Sequence, residues 1–239
     1  MLLGHTYLDC LAVLGIGGAH PGGLKLTKEI LSGEAIDQSK SILEIGCGTG
    51  QTSAYIAEHY GCDVVALDNS NIMLDKAKQR FAAINSVIET IHGNVERLPF
   101  ADHSFDFILS ESVLSFTNIA LSISECQRLL KQGGKLLMIE IVHEQPLSEK
   151  EEKKIKDFYG FSQLLSENEW VRLLRQGGFE QVSVEKPTIK FDEHDLKHAT
   201  EFSPSENVSH EYFNILKEHE YLSNFYKDNL GYRIFRCSS

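Results

Sequence analysis

Ser41-Ile42-Leu43-Glu44-Ile45-Gly46-Cys47-Gly48-Thr49-Gly50 carries an apolar run straight into three glycines spaced two apart, with a carboxylate two residues before the first. Ile42, Leu43 and Ile45 read as a strand buried on both faces. The glycines then allow a tight turn in which main chain rather than side chain approaches a ligand. The pattern predicts a cofactor loop between a strand and a helix. In the dinucleotide fingerprint the third glycine stands three places after the second. That place is Gln51 here, and Gly50 comes one position early. The spacing disfavours a nicotinamide dinucleotide and, with it, a dehydrogenase.

The chain continues with a second apolar strand, Val64-Val65-Ala66-Leu67-Asp68, whose terminal acid lies 18 positions after Gly50 (68 minus 50). A carboxylate at that tip has two oxygens with which to accept a pair of ribose hydroxyls. Gly93-Asn94-Val95-Glu96-Arg97-Leu98-Pro99-Phe100 follows, then the strand-like Ser104-Phe105-Asp106-Phe107-Ile108-Leu109, then Leu129-Leu130-Lys131-Gln132-Gly133-Gly134-Lys135 before another apolar run. These spaced motifs, over residues 41 to 142, resemble the class I S-adenosylmethionine (SAM) dependent methyltransferases, and most closely the small-molecule enzymes of the ubiquinone-biosynthesis type.

That resemblance implies an α/β, Rossmann-like, seven-stranded mixed sheet with helices on both faces and SAM at its carboxyl edge. It implies that Glu44, Gly46, Cys47, Gly48, Thr49 and Gly50 line the methionine part of the cofactor. Asp68 and Asn69 then belong to the ribose and its surroundings. Asn94 and Val95 belong to the adenine, with Ser110 at the end of the next strand completing the set. Where relatives often carry Asp, Asn94 offers an uncharged carbonyl to the adenine amine. Met73 either touches adenine or packs on its helix stripe. A SAM-binding regulatory or scaffold protein without transferase activity is the alternative to an enzyme.

Three side chains are candidates to face the transferred methyl. Glu111 and His143 follow strands whose carboxyl ends open on the ligand crevice, and His20 stands beside the flexible Pro21-Gly22-Gly23. His143 is the first choice as base because histidine titrates near neutral pH. Glu140 reads as a support of neighbouring backbone or substrate. His194 and His198 share the spacing of one helix face, but no third ligand accompanies them, and no metal is predicted.

Length and composition bound the rest. A chain of 239 residues suits a single domain, with an N-terminal segment over residues 1 to 40. A net charge of −11 repels phosphate backbones and argues against nucleic acid as partner. Five scattered cysteines without C-x-x-C spacing fit buried thiols in a reducing, cytoplasmic compartment. No apolar run is long enough for a membrane span. About 40 residues separate the last two expected strands, and the aromatics of residues 190 to 230 need burial. They predict a helical lid over the acceptor pocket or a docking surface.

Overall fold

The computed structural model describes residues 5–187 and 201–238. Seven strands form one sheet: β2 (Ser41–Ile45), β3 (Asp63–Asp68), β4 (Glu89–His92), β5 (Phe105–Glu111), β6 (Leu130–His143), β7 (Gln181–Glu185) and β9 (Leu230–Ser238). Their order is β4-β3-β2-β5-β6-β9-β7, all parallel except β9, which runs antiparallel between β6 and β7. The seven-stranded mixed sheet expected from the sequence is therefore present. The order reverses at β2, which pairs with β3 on one side and β5 on the other. This reversal opens a crevice at the carboxyl ends of those strands.

Alternation along the strands divides the core in two. Ile42, Ala66, Phe107, Leu109 and Ile139 face α2 (Gly23–Ser32), α3 (Gln51–Tyr60) and α4 (Asn71–Ala83). Leu43, Ile45, Ile108, Leu136 and Met138 face α5 (Ile119–Leu129) and α7 (Glu167–Gln176). Helix starts follow local chemistry. Ser70 caps α4 by accepting from the Met73 amide, and Ser166 with Glu169 forms the expected capping box of α7. All five cysteines are buried and unpaired.

α5 ends at Leu129. Leu130 is already extended (φ −71°, ψ 134°), because its side chain is buried in the sheet beside Phe105. α7 closes in a glycine cap: Gly178 has φ +103°, its amide donates to the Arg175 carbonyl and the Phe179 amide to the Leu174 carbonyl, each at 3.2 Å. A Cβ on Gly177 would lie 2.2 Å from Ile123 Cγ2, so close packing on α5 requires that glycine as well. β4 begins at Glu89, and Val87 just before it is fully exposed.

Three helices roof the crevice. The loose N-terminal stretch contains α1 (Tyr7–Leu14), started by a capping box between Thr6 and Asp9. α6 (Glu149–Tyr159) starts with another between Ser148 and Glu151, and α8 (His210–Phe225) follows Ser209. Tyr7, Ile155, Tyr159, Leu222 and Tyr226 form one apolar cluster among them, and Cys10, Leu14, Ile16 and Tyr212 another. A two-stranded sheet, β1 (Ile16–Gly17) with β8 (Glu201–Phe202), joins the N-terminal segment to the chain before α8. Arg80 ties this strap to the glycine loop, donating to the Thr49 carbonyl at 2.9 Å and pairing with Glu201. His194 and His198 lie outside the described residues.

Candidate active site

A cavity of about 800 Å³ occupies the crevice, with the glycine loop and Asp68 at one end and the roof helices at the other. The loop leaves β2 at Ile45 and is pinned by the Cys47 amide donating to the Leu67 carbonyl at 2.9 Å. Gly48 has φ +52°, and a Cβ there would meet no protein atom within 4 Å. The missing side chain therefore leaves room for a ligand. Gly46 serves packing, since its Cβ would lie 2.4 Å from Val113 Cγ2. Gly50 does not line the cavity. Its Cβ would lie 2.6 Å from Phe81, so this glycine lets α3 start close against α4.

Asp68 is buried at the tip of β3. One oxygen accepts the Gly48 amide and the other the Ser70 amide, each at 2.8 Å. A carboxylate oxygen has a second lone pair, so both remain able to accept from a ligand diol. Burial raises the Asp68 pKa, against the lowering effect of those amide bonds. Beyond it, Asn69, Met73, Asn94 and Val95 line the far wall. Asn94 Oδ1 already accepts the Glu96 amide at 2.9 Å. Met73 is both buried in α4 and exposed to the cavity, so packing and wall are one role.

The middle of the cavity is anionic. Glu44 is buried and accepts from Ser53 Oγ, and its pKa is pushed well up by burial and then by the neighbouring Glu111 charge. Glu111 accepts from Thr27 Oγ1 and, at 2.9 Å, from Thr52 Oγ1. His20 Nε2 stands 3.5 Å from the same carboxylate, with Nδ1 3.2 Å from the Pro21 carbonyl oxygen. No Lys or Arg salt bridge to Glu44, Asp68 or Glu111 occurs among the described residues. Thr49 Oγ1 is buried without a partner among the described residues. Buried carboxylates without a fixed cation, an unsatisfied hydroxyl and the open face of Gly48 fit a ligand that carries positive charge and hydroxyls.

Besides Gly50, two expected site residues fall elsewhere. Ser110 is fully buried inside β5 between Ile45 and Met138, off the cavity wall. His143 ends β6 with its amide donating to the Leu165 carbonyl and its Nε2 3.5 Å from Glu169 Oε2. It does not line the cavity either, because α7 holds the imidazole on its own side of the strand end. Glu111 and His20 do line it. Sequence reasoning offered residues 190 to 230 as a lid or a docking surface but named none of the residues at the opposite end, where Tyr7, Phe116, Tyr159, Phe161, Leu216 and His219 form the wall. The Ser148 and Glu151 spacing could have located α6 and hence Tyr159; α8 carries no comparable sign for His219.

Glu140 supports the wall from behind. Its Oε1 accepts the Val113 and Leu114 amides at 3.2 and 2.8 Å, and its Oε2 accepts Ser115 Oγ at 2.7 Å. Burial raises its pKa to about 7, above the ordinary value of 4.5, although the three hydrogen bonds oppose the shift. A raised folded-state pKa means the folded protein binds more protons between those values. This contribution to stability is full below pH 4.5 and lost as pH rises through about 7. Glu140→Gln removes the buried charge and keeps the carbonyl acceptor. The melting temperature of the variant relative to the parent is expected to rise between pH 5 and pH 8. A difference independent of pH would contradict the ionisation.

The chain is similar to known proteins. The methyltransferase domain family matches residues 43–138. A Bacillus subtilis protein described as uncharacterized methyltransferase YodH is 39% identical over 229 residues, covering 96% of this chain and 97% of that one. Phosphoethanolamine N-methyltransferase 3 of Arabidopsis thaliana is 27% identical over 75% of this chain, which spans 36% of that longer enzyme. Among solved structures, Haemonchus contortus phosphoethanolamine N-methyltransferase 2, in complex with phosphomonomethylethanolamine and S-adenosylhomocysteine, superposes with a TM-score of 0.77. That likeness is at 22% identity, covers 97% of this chain and 57% of that one, and is a likeness of fold.

Proposed function

The chain belongs to the class I SAM-dependent methyltransferases, and from that membership we propose that it methylates a small molecule held between the glycine loop and the roof helices. SAM is its cofactor, and when bound it supplies an electrophilic methyl group. The observation that carries the acceptor reading is the single cavity with two chemically different ends. One end has the carboxylates and the open glycine, and the other is walled by aromatic side chains.

In this reading Asp68 accepts the ribose hydroxyls, Asn94 and Val95 flank the adenine, and Glu44 and Glu111 face the ammonium of the methionine moiety. Thr27 and Thr52 hold Glu111 in that orientation. His20, pinned to Pro21 and Glu111, fixes the segment between β1 and α2 over the site. His143 has no part in the chemistry. The roof excludes water and positions the acceptor, and orientation alone contributes up to about 7–11 kcal/mol in favourable intramolecular systems. The acidic surface disfavours a nucleic-acid acceptor. The relatives' printed names, a phosphoethanolamine and a demethylmenaquinone methyltransferase, support small molecules as a class. Among the described residues no helix is long and apolar enough to cross a membrane. The buried free thiols suit a reducing compartment such as the cytoplasm.

Calorimetric titration is expected to show binding of SAM and S-adenosylhomocysteine and none of NADH. Incubation of the protein with methyl-labelled SAM and a pool of small metabolites is expected to label at least one compound. Binding of SAM without label in any compound would leave a binding protein in place of the enzyme.

A further inference from the structure

Tyr159 and His219 come from different helices, α6 and α8, and meet on the cavity wall with the phenol oxygen 3.0 Å from the imidazole Nδ1. Ser223 Oγ stands 3.5 Å from the same phenol oxygen. The rest of Tyr159 is fixed. Its ring is edge-on to Tyr7 at 4.9 Å and stacked on Phe161 at 5.1 Å, inside the apolar cluster that joins the roof helices. His219 lies against Tyr7 as well, at 5.2 Å between ring centroids. An apolar roof that nonetheless spends a tyrosine and a histidine on each other, at a cavity wall, is arranged for proton transfer.

We propose that Tyr159 and His219 form the proton-accepting pair of the reaction, and that the acceptor is a hydroxyl compound that must lose its proton as it is methylated. The proposal rests on the methyl-transfer reading. The acceptor oxygen gains the methyl carbon as that carbon's bond to sulfur breaks, the bonding pair remaining on sulfur. The acceptor's proton passes to the Tyr159 oxygen while the Tyr159 proton passes to His219 Nδ1, leaving an imidazolium that returns its proton to solvent. Tyr159 is the residue that touches the substrate, and His219 acts through it.

The surroundings favour this resting state. Burial lowers the His219 pKa, partly offset by Glu220, and burial raises that of Tyr159, so at neutral pH a phenol faces a neutral imidazole. The other titratable groups around the pair are Tyr7 and Cys10 on α1, Lys154 on α6, and Glu218 and Glu220 on α8, with Lys227 just beyond. Glu218 is paired with Lys154 at 3.6 Å, and Tyr7 is held protonated by burial. Burial thus keeps His219 neutral and able to accept a proton from the phenol at neutral pH.

The test uses phenol, 4-chlorophenol and 4-nitrophenol as hydroxyl probes of increasing acidity, and ethanolamine as an amine probe, each with methyl-labelled SAM. The parent is expected to label the phenols, with kcat/KM rising with pH along a limb on the acid side of the usual histidine range. Tyr159→Phe, which keeps the ring in its cluster, and His219→Gln are expected to keep the parent's SAM affinity within about twofold. Each should lose at least about tenfold in kcat toward phenol, less than the usual general-base contribution, and retain most of the rate toward the acidic 4-nitrophenol. His219→Gln should also lose the acid limb. Unchanged kcat and pH profile in both variants would overturn the pair. Labelling of ethanolamine by a parent that leaves every phenol unlabelled would overturn the hydroxyl acceptor. A parent that binds SAM and labels neither these probes nor any metabolite would instead sink the methyl-transfer reading beneath it.

Discussion

Gly48→Val is expected to abolish measurable SAM binding while the protein stays folded, and Asp68→Ala to weaken it by roughly 10–100-fold. At Gly48 no protein atom would obstruct a new Cβ, so the valine side chain projects into the space that the proposed function gives to the cofactor's methionine part. Its φ of +52° adds backbone strain, which a fold with two large cores tolerates. Asp68 is a different case. Under the proposed function its removal deletes the acceptors of the ribose hydroxyls, at about 1.5–3 kcal/mol for a hydrogen bond to a charged group, and it also frees the Gly48 and Ser70 amides. Calorimetric affinities and far-ultraviolet circular dichroism separate binding from folding. Parent-like SAM affinity in both variants would remove the cofactor from this end of the cavity.

The second large effect is on stability. Trp170 is fully buried on α7, packs against Phe235, and donates from its indole nitrogen to the Ile141 carbonyl at 3.2 Å. Ile141 belongs to the cavity wall, so this tryptophan backs the cavity from behind. Trp170→Ala should cost about 3–5 kcal/mol, the range for a large aromatic truncated in a core. In a chain of this size that corresponds to roughly 6–20 °C in melting temperature. Trp170→Phe keeps most of the volume and loses the hydrogen bond, and should fall well short of that. A melting temperature within about 2 °C of the parent for Trp170→Ala would contradict the packing described.

The glycine-loop half of the molecule was legible because each signal there is local. An apolar run, a glycine spacing and a terminal carboxylate each sit within one strand and its following turn, as at Ser41 to Gly50 and Val64 to Asp68. The other half depends on distant segments meeting. Nothing near His143 in sequence announces that Glu169 will hold its ring, and nothing near His219 announces Tyr159, 60 residues earlier. Gly50 shows the same limit on a smaller scale. Its place in the motif marks it as a loop glycine, yet the constraint on it is Phe81, one helix further on.

The strap between β1 and β8 gives the molecule an order of assembly. The glycine loop, Asp68 and Glu111 lie on three strands paired directly with their sheet neighbours, within the first 111 residues. The chamber above them closes only when Ile16 finds Phe202 and Cys10 finds the Tyr212 carbonyl, contacts whose partners lie 186 (202 minus 16) and 202 residues apart. Contacts so distant carry the largest loop-closure entropy and form late. During synthesis the glycine loop, Asp68 and Glu111 therefore leave the ribosome long before Phe202 and Tyr212, the partners that close the chamber above them.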